Sequence, residues 1–124
     1  MILSGCAGKN ADEKAILDDI LKTHDKVMAN DEQLTKNKMQ IDTLLKQGKL
    51  RGNDSAKIIS VKLAVADSVM DKWMHDFEPD QSKKTHDDAV KYMNEQKKQI
   101  MAIDTQLNQV VAESSKYLSK IKMK

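Results

Sequence analysis

One cysteine, one proline, four glycines and four aromatic residues are all that this chain of 124 residues carries of those types. With Cys6 alone, neither an intramolecular disulfide nor a multi-cysteine metal centre is open to it. So few glycines and prolines leave little material for turns, so the elements are expected to be few and long. The aromatics, Trp73, Phe77, Tyr92 and Tyr117, are too few to furnish the strands of a β-sandwich. The core must come from Leu, Ile, Val, Met and Ala, which favours helix packed on helix. Charge of one sign is also missing: 21 basic and 19 acidic residues leave a net charge of +2, which makes no case for a nucleic-acid partner. No apolar run is long enough to span a bilayer. What remains, 40% hydrophobic and 32% charged residues, is the composition of one helical domain with a single modest core.

Apolar spacing divides the chain into three helices. From Asn10, Leu17, Ile20, His24, Val27, Asp31, Leu34, Lys38, Ile41 and Leu45 alternate three and four apart, with Leu21, Met28 and Met39 widening the seam. Its polar members, His24, Asp31 and Lys38, suit a bundle edge better than a simple dimeric coil. The segment Gly48 to Asp54 breaks this helix and offers Asp54 or Ser55 as the next N-cap. A second helix is expected from about Ser55 to Phe77 on the stripe Ile59, Leu63, Ala66, Met70, Trp73 and Phe77, flanked by Ile58, Val65 and Val69; Glu78-Pro79-Asp80 ends it. Thr85 caps a third, whose seam runs from Ala89 through Met93, Gln96, Ile100, Ile103, Leu107, Val110, Ser114 and Tyr117 to Ile121. The expected fold is all-α: an up-down-up antiparallel three-helix bundle with long coiled-coil-like helices over residues 10–124.

Folding the chain back about a turn near residue 51 sets residue i beside residue 102 minus i, so Met28 faces Met74 and His24 lies near the Pro79 turn. A second turn near 82 sets His75 beside Ala89, Glu78 beside His86 and Asp71 beside Met93. All three histidines then gather at one end with Met28, Met70, Met74 and Met93. Because the middle helix is short, its neighbours are expected to project beyond it in opposite directions, leaving Leu17 at one end and Tyr117, Leu118 and Ile121 at the other partly uncovered. Such stripes call for self-association or a helical partner, unless a kink near Asn30-Asp31 closes them.

The chemistry these residues offer is limited. His24, Met28, Met70 and Met74, with His75 as a further donor, make a soft donor set of the kind that selects Cu(I); the competing reading is methionine as ordinary core filler. There is no Glu-x-x-His, no His-Glu-x-x-His, no phosphate-binding glycine loop and no Gly-x-Ser-x-Gly elbow. Asp71 and His75, one turn apart, lack a nucleophile beside them. The expectation is a protein that is not an enzyme.

Leu3-Ser4-Gly5-Cys6 resembles the lipobox of bacterial lipoproteins, in which a Leu and two small residues precede the cysteine that receives the diacylglycerol. Ala7-Gly8-Lys9-Asn10-Ala11 then reads as a flexible tether. Only Met1 and Ile2 precede the box, whereas a working signal has a basic start and an apolar run, so residues 1–9 are read as signal remnant, lipobox and tether. Together with His24-Asp25-Lys26-Val27-Met28 and the run Asp67 to Phe77, DSVMDKWMHDF, the chain resembles a group of short helical bacterial lipoproteins often labelled "viral A-type inclusion protein". The resemblance implies a helical fold and lipid anchoring at Cys6 in a bacterial envelope, facing the periplasm or the cell surface. Ala7, where an Asp would signal inner-membrane retention, leans toward the outer membrane. The expected partners are the membrane, through the lipid, and an envelope protein or a second copy; no cofactor beyond the covalent lipid is implied, with Cu(I) the alternative.

Overall fold

The computed structural model describes the backbone of residues 2–50 and 54–122 and the side chains of residues 11–50 and 54–121. It consists of α1 (Ile2–Lys46), α2 (Asp54–Asp76) and α3 (His86–Lys122), each packed against the other two. Helix α1 begins at Ile2 rather than near Asn10, so the stretch read as a tether continues the helix. Cys6 lies outside the residues whose side chains are described.

In α1 the core face is a strict seven-residue series, Ile20, Val27, Leu34 and Ile41, all buried. Leu21, Met28 and Met39, expected to widen this seam, are exposed instead. The reason is that two columns of half-buried residues flank the series, one against each neighbour, and together they complete the face. His24, Asp31 and Lys38 turn toward α2. Asn30 and Asn37 turn toward α3, and the buried polar residue of α1 is therefore Asn37, not Lys38.

The end of α1 follows from Gly48. Its φ of 75° lies in the left-handed region, which lets its N–H reach the Leu45 carbonyl at 3.1 Å while the Lys49 N–H reaches Leu44 at 3.0 Å. This pair of bonds is the Schellman arrangement, and it satisfies carbonyls the helix would otherwise leave open. Leu50 then folds back into the core.

Helix α2 buries Ala56 and the expected stripe of Ile59, Leu63, Ala66, Met70 and Trp73, with Phe77 packed at its edge. The bond from Ser60 Oγ to Asp42 Oδ1 joins residues whose numbers sum to 102, the register expected of the first hairpin. The second hairpin differs. Glu78 pairs with Tyr92 and Lys62 with Glu113, so α3 is displaced by about two turns from the expected alignment. Aromatic stacking accounts for it: Trp73 and Phe77 lie 4.8 Å apart and Phe77 and Tyr92 6.3 Å apart, nearly parallel, with Lys84 Nζ 3.5 Å above the Tyr92 ring. The Glu78 N–H donates to the Tyr92 hydroxyl at 2.9 Å, which fastens the loop to this stack. Thr85 Oγ1 accepts from the Asp88 N–H at 3.2 Å and caps α3 as expected.

Helices α1 and α3 are parallel, and a buried polar contact pins their register. Asn37 Nδ2 donates to Ser114 Oγ at 2.8 Å and Ser115 Oγ at 3.0 Å, while Gln33 Nε2 donates to Asn37 Oδ1 at 2.8 Å. Asn30 to Asn108 and Lys97 to Asp19 repeat the same offset. Both helices therefore project beyond α2 at the same end, not at opposite ends. Leu118, expected to be uncovered, is buried, while Tyr117 and Ile121 are half-buried against the core.

Candidate functional site

Three places hold chemistry that the fold assembles. The first is the end of the bundle where α2 meets its loop. His24, Leu21, Trp73, Met74, Phe77 and Pro79 line a cleft of about 200 Å³, so His24 does lie beside the Pro79 turn and shares a surface with Met74. The rest of the soft donor set differs in exposure. Met70 is buried in the core, Met28 is partly exposed, and His75 is exposed at the end of α2. His86, expected beside Glu78, instead sets its Nδ1 3.5 Å from Glu13 Oε1 on α1, because the displaced α3 carries it past the end of α2. Glu13 and His24 are eleven residues apart on one helix, about 16 Å at 1.5 Å per residue, so His86 and His24 share an end of the bundle without sharing a site. Among the described residues no group of three or more His, Cys, Asp or Glu side chains is arranged to hold a metal ion.

The second place is a carboxyl cluster between α1 and α2. Half-buried Asp31 faces Asp67 and Asp71, and its Oδ1 is buried without a hydrogen-bond partner among the described residues. Burial, a hydrogen bond with the Asp67 carboxyl and the charges of Asp67 and Asp71 push the Asp31 carboxyl up to about 6. Three turns further along α1, Asp42 does the reverse. Burial alone would raise it, but hydrogen bonds from Lys38 and Ser60, with the Lys38 charge, outweigh that and hold it below its ordinary value. Ser60 thus donates to the Asp42 carboxylate and links α2 to α1.

The third place is the cleft between α2 and α3. It measures about 560 Å³ and is lined by Val69, Trp73, Tyr92, Ala102 and Ile103 with Gln96, Gln99 and Gln106. Lys72 and Asp76 at its rim pair at 2.9 Å, so the walls carry no net charge. The Trp73 Nε1–H is buried and without a partner among the described residues. Along the outer edge of α2 the side chains of Ile58, Val61, Val65 and Val69 are 54%, 62%, 50% and 38% exposed.

No family model matches the chain, and neither a curated protein nor a solved structure matches it. The functional reading therefore rests on these residues.

Sequence pattern alone did not single out the carboxyl cluster, the aromatic stack or the exposed α2 edge. Asp31 is visible as a polar seam residue and the count about the first turn sets Asp71 beside it, but that Asp67, one turn before Asp71, joins them is seen only in the structure. Val61 stood outside the apolar stripe and its flanks, although it continues the spacing of Ile58, Val65 and Val69.

Proposed function

We propose that this chain is a lipid-anchored helical protein of a bacterial envelope, without enzymatic activity, that acts by holding another protein or a second copy of itself. The observation that carries the reading is the run Leu3-Ser4-Gly5-Cys6 at the very start of the long helix α1. No described helix is long and apolar enough to cross a membrane, and an acylated Cys6 would supply the membrane contact. An exposed apolar edge beside an uncharged cleft supports the association half of the reading. The test is incorporation of radiolabelled palmitate and membrane fractionation of the protein expressed with its export signal. Labelled protein in the membrane fraction, lost in Cys6→Ala, is the expected result. Unlabelled protein found free in the cytoplasm would overturn it.

A second reading, an envelope Cu(I)-binding protein, is favoured by the shared cleft of His24 and Met74. Imidazole and thioether are both donors that Cu(I) accepts, and Met28, Met70 and His75 are the further donors of the set. An anaerobic Cu(I) titration of the chain and of Met74→Leu decides it: weakened binding in the variant supports the site, and undiminished affinity removes it.

A further inference from the structure

We infer that the end of the bundle farthest from Cys6, where α1 stops, α2 begins and α3 makes its last turns, docks on an anionic lipid surface. This goes beyond the proposed function, in which acylated Cys6 makes the membrane contact. Forty residues of α1 separate Cys6 from Lys46, about 60 Å at 1.5 Å per residue, so the two contacts are independent. A net charge of +2 conceals a strong polarity along the bundle. Residues 46–57 carry Lys46, Lys49, Arg51 and Lys57 against Asp54 alone, and residues 116–122 carry Lys116, Lys120 and Lys122 against no acid. At the other end the sign reverses: residues 11–25 and 76–88 each hold five acids against two lysines. The acids bordering the basic end, Asp42 and Glu113, are already held by Lys38 and Lys62.

Lys46, Lys49, Lys57, Lys116 and Lys120 are all exposed, and none has an ion-pair partner among the described residues. The α1–α2 register sets Lys57 level with residue 45 of α1, and the α1–α3 offset sets Lys116 and Lys120 level with residues 38 and 42. The five lysines thus fall within about 16 Å of bundle length, comparable with the Debye length of about 10 Å at 0.1 M salt, and act as one patch. Fold stability does not call for this pattern. Lys46 complements the C-terminus of α1, but Lys57 lies in the first turn of α2, where the helix dipole disfavours a cation. Apolar groups among the lysines select a lipid surface over a soluble polyanion. Ile58 is 54% exposed, and it lines a shallow cleft with Tyr117, Lys116 and Lys120. In a headgroup layer such aliphatic and tyrosine side chains sink inward, and the lysine stems follow while their ammonium groups meet lipid phosphates. A charged polymer in water leaves Ile58 uncovered.

The test is co-sedimentation of the whole, unacylated chain, kept reduced, with vesicles of phosphatidylcholine alone or with about 30% phosphatidylglycerol. Binding to the anionic vesicles only, released by raising salt from about 0.05 M to about 0.5 M, is the expected result. Each lysine near such a surface strengthens binding about fivefold. A variant combining Lys49→Gln, Lys57→Gln, Lys116→Gln and Lys120→Gln should therefore bind on the order of 500-fold more weakly. A matched variant combining Lys14→Gln, Lys22→Gln, Lys83→Gln and Lys91→Gln has the same net charge and should bind like the wild type. All eight side chains are exposed, so helicity should be unchanged in both variants. No binding to the anionic vesicles, equal binding to both kinds, or an equal loss in the two variants overturns the proposal. Tighter binding to duplex DNA than to the vesicles would assign the patch to a soluble polyanion and overturn it equally. Because the chain tested is unacylated, none of these failures touches the anchoring reading, which Cys6-dependent fractionation decides separately.

Discussion

Asp31 is where a single residue works against the fold. In the unfolded chain its carboxyl loses its proton near the ordinary value of 3.8, and in the folded bundle it holds it to about 6. Between those values the folded state binds more protons than the unfolded state, so this residue makes stability fall as pH rises through the window and leaves it flat above. Two units correspond to about 3 kcal/mol, and solvent screening of a half-buried group reduces this to about 1–2 kcal/mol. Asp42 has the opposite sign: its depressed value contributes stability above the ordinary carboxylate range that is lost as pH falls. We expect Asp31→Asn to stabilise the bundle by about 1–2 kcal/mol at pH 7.5, since its amide can donate to Asp67 whatever the pH. At pH 5 the gain should shrink. Urea unfolding of both proteins at the two pH values checks this, and an equal effect at both would remove the raised Asp31 carboxyl as the cause. The count about the first turn sets Asp71 opposite Asp31, but the shift depends first on burial and on Asp67, which only the packed helices bring to it.

At the scale of the element, each helix end has its own local cause, and these were mostly legible. Gly48 as the stop of α1 and Thr85 as the cap of α3 are short-range features, made by bonds spanning three to five residues. Gly48→Ala should therefore cost about 1 kcal/mol, since a Cβ penalises a φ of 75°. A fall in the urea midpoint with no change in slope is the expected result, and an unchanged midpoint would mean the left-handed turn is not needed. The apolar stripe of α2 was equally plain from spacing. Its second face was not, because Ile58, Val65 and Val69 read as flanks of a core stripe whether the neighbouring helix covers them or leaves them open.

For the whole molecule, the alignment of the three helices decides which chemistry meets. Antiparallel α1 and α2 keep the register of their short turn, so the pairing of Asp42 with Ser60 and the nearness of His24 to Pro79 followed from counting. The alignment of α3 did not follow, because a longer loop stores slack and the aromatic stack and Asn37 take it up. Asn37→Ala should remove the donor to Ser114 and Ser115 and leave Gln33 without its acceptor. Loss of about 1–3 kcal/mol is expected, together with a looser register of α1 on α3. Hydrogen exchange of the amides around residues 108–118 checks it: faster exchange there, with α2 unaffected, supports Asn37 as the register pin, and unchanged protection would not. By itself the sequence determined the helical class, the three elements, their order and most of their core faces, because composition and 3.6-residue periodicity are properties of the chain alone. Only the tertiary structure decided that α1 and α3 project together, that His86 meets Glu13 and not Glu78, and that one edge of α2 is left uncovered. Each of these depends on how far one helix slides along another, and that distance is set by a few side-chain contacts between residues far apart in the chain.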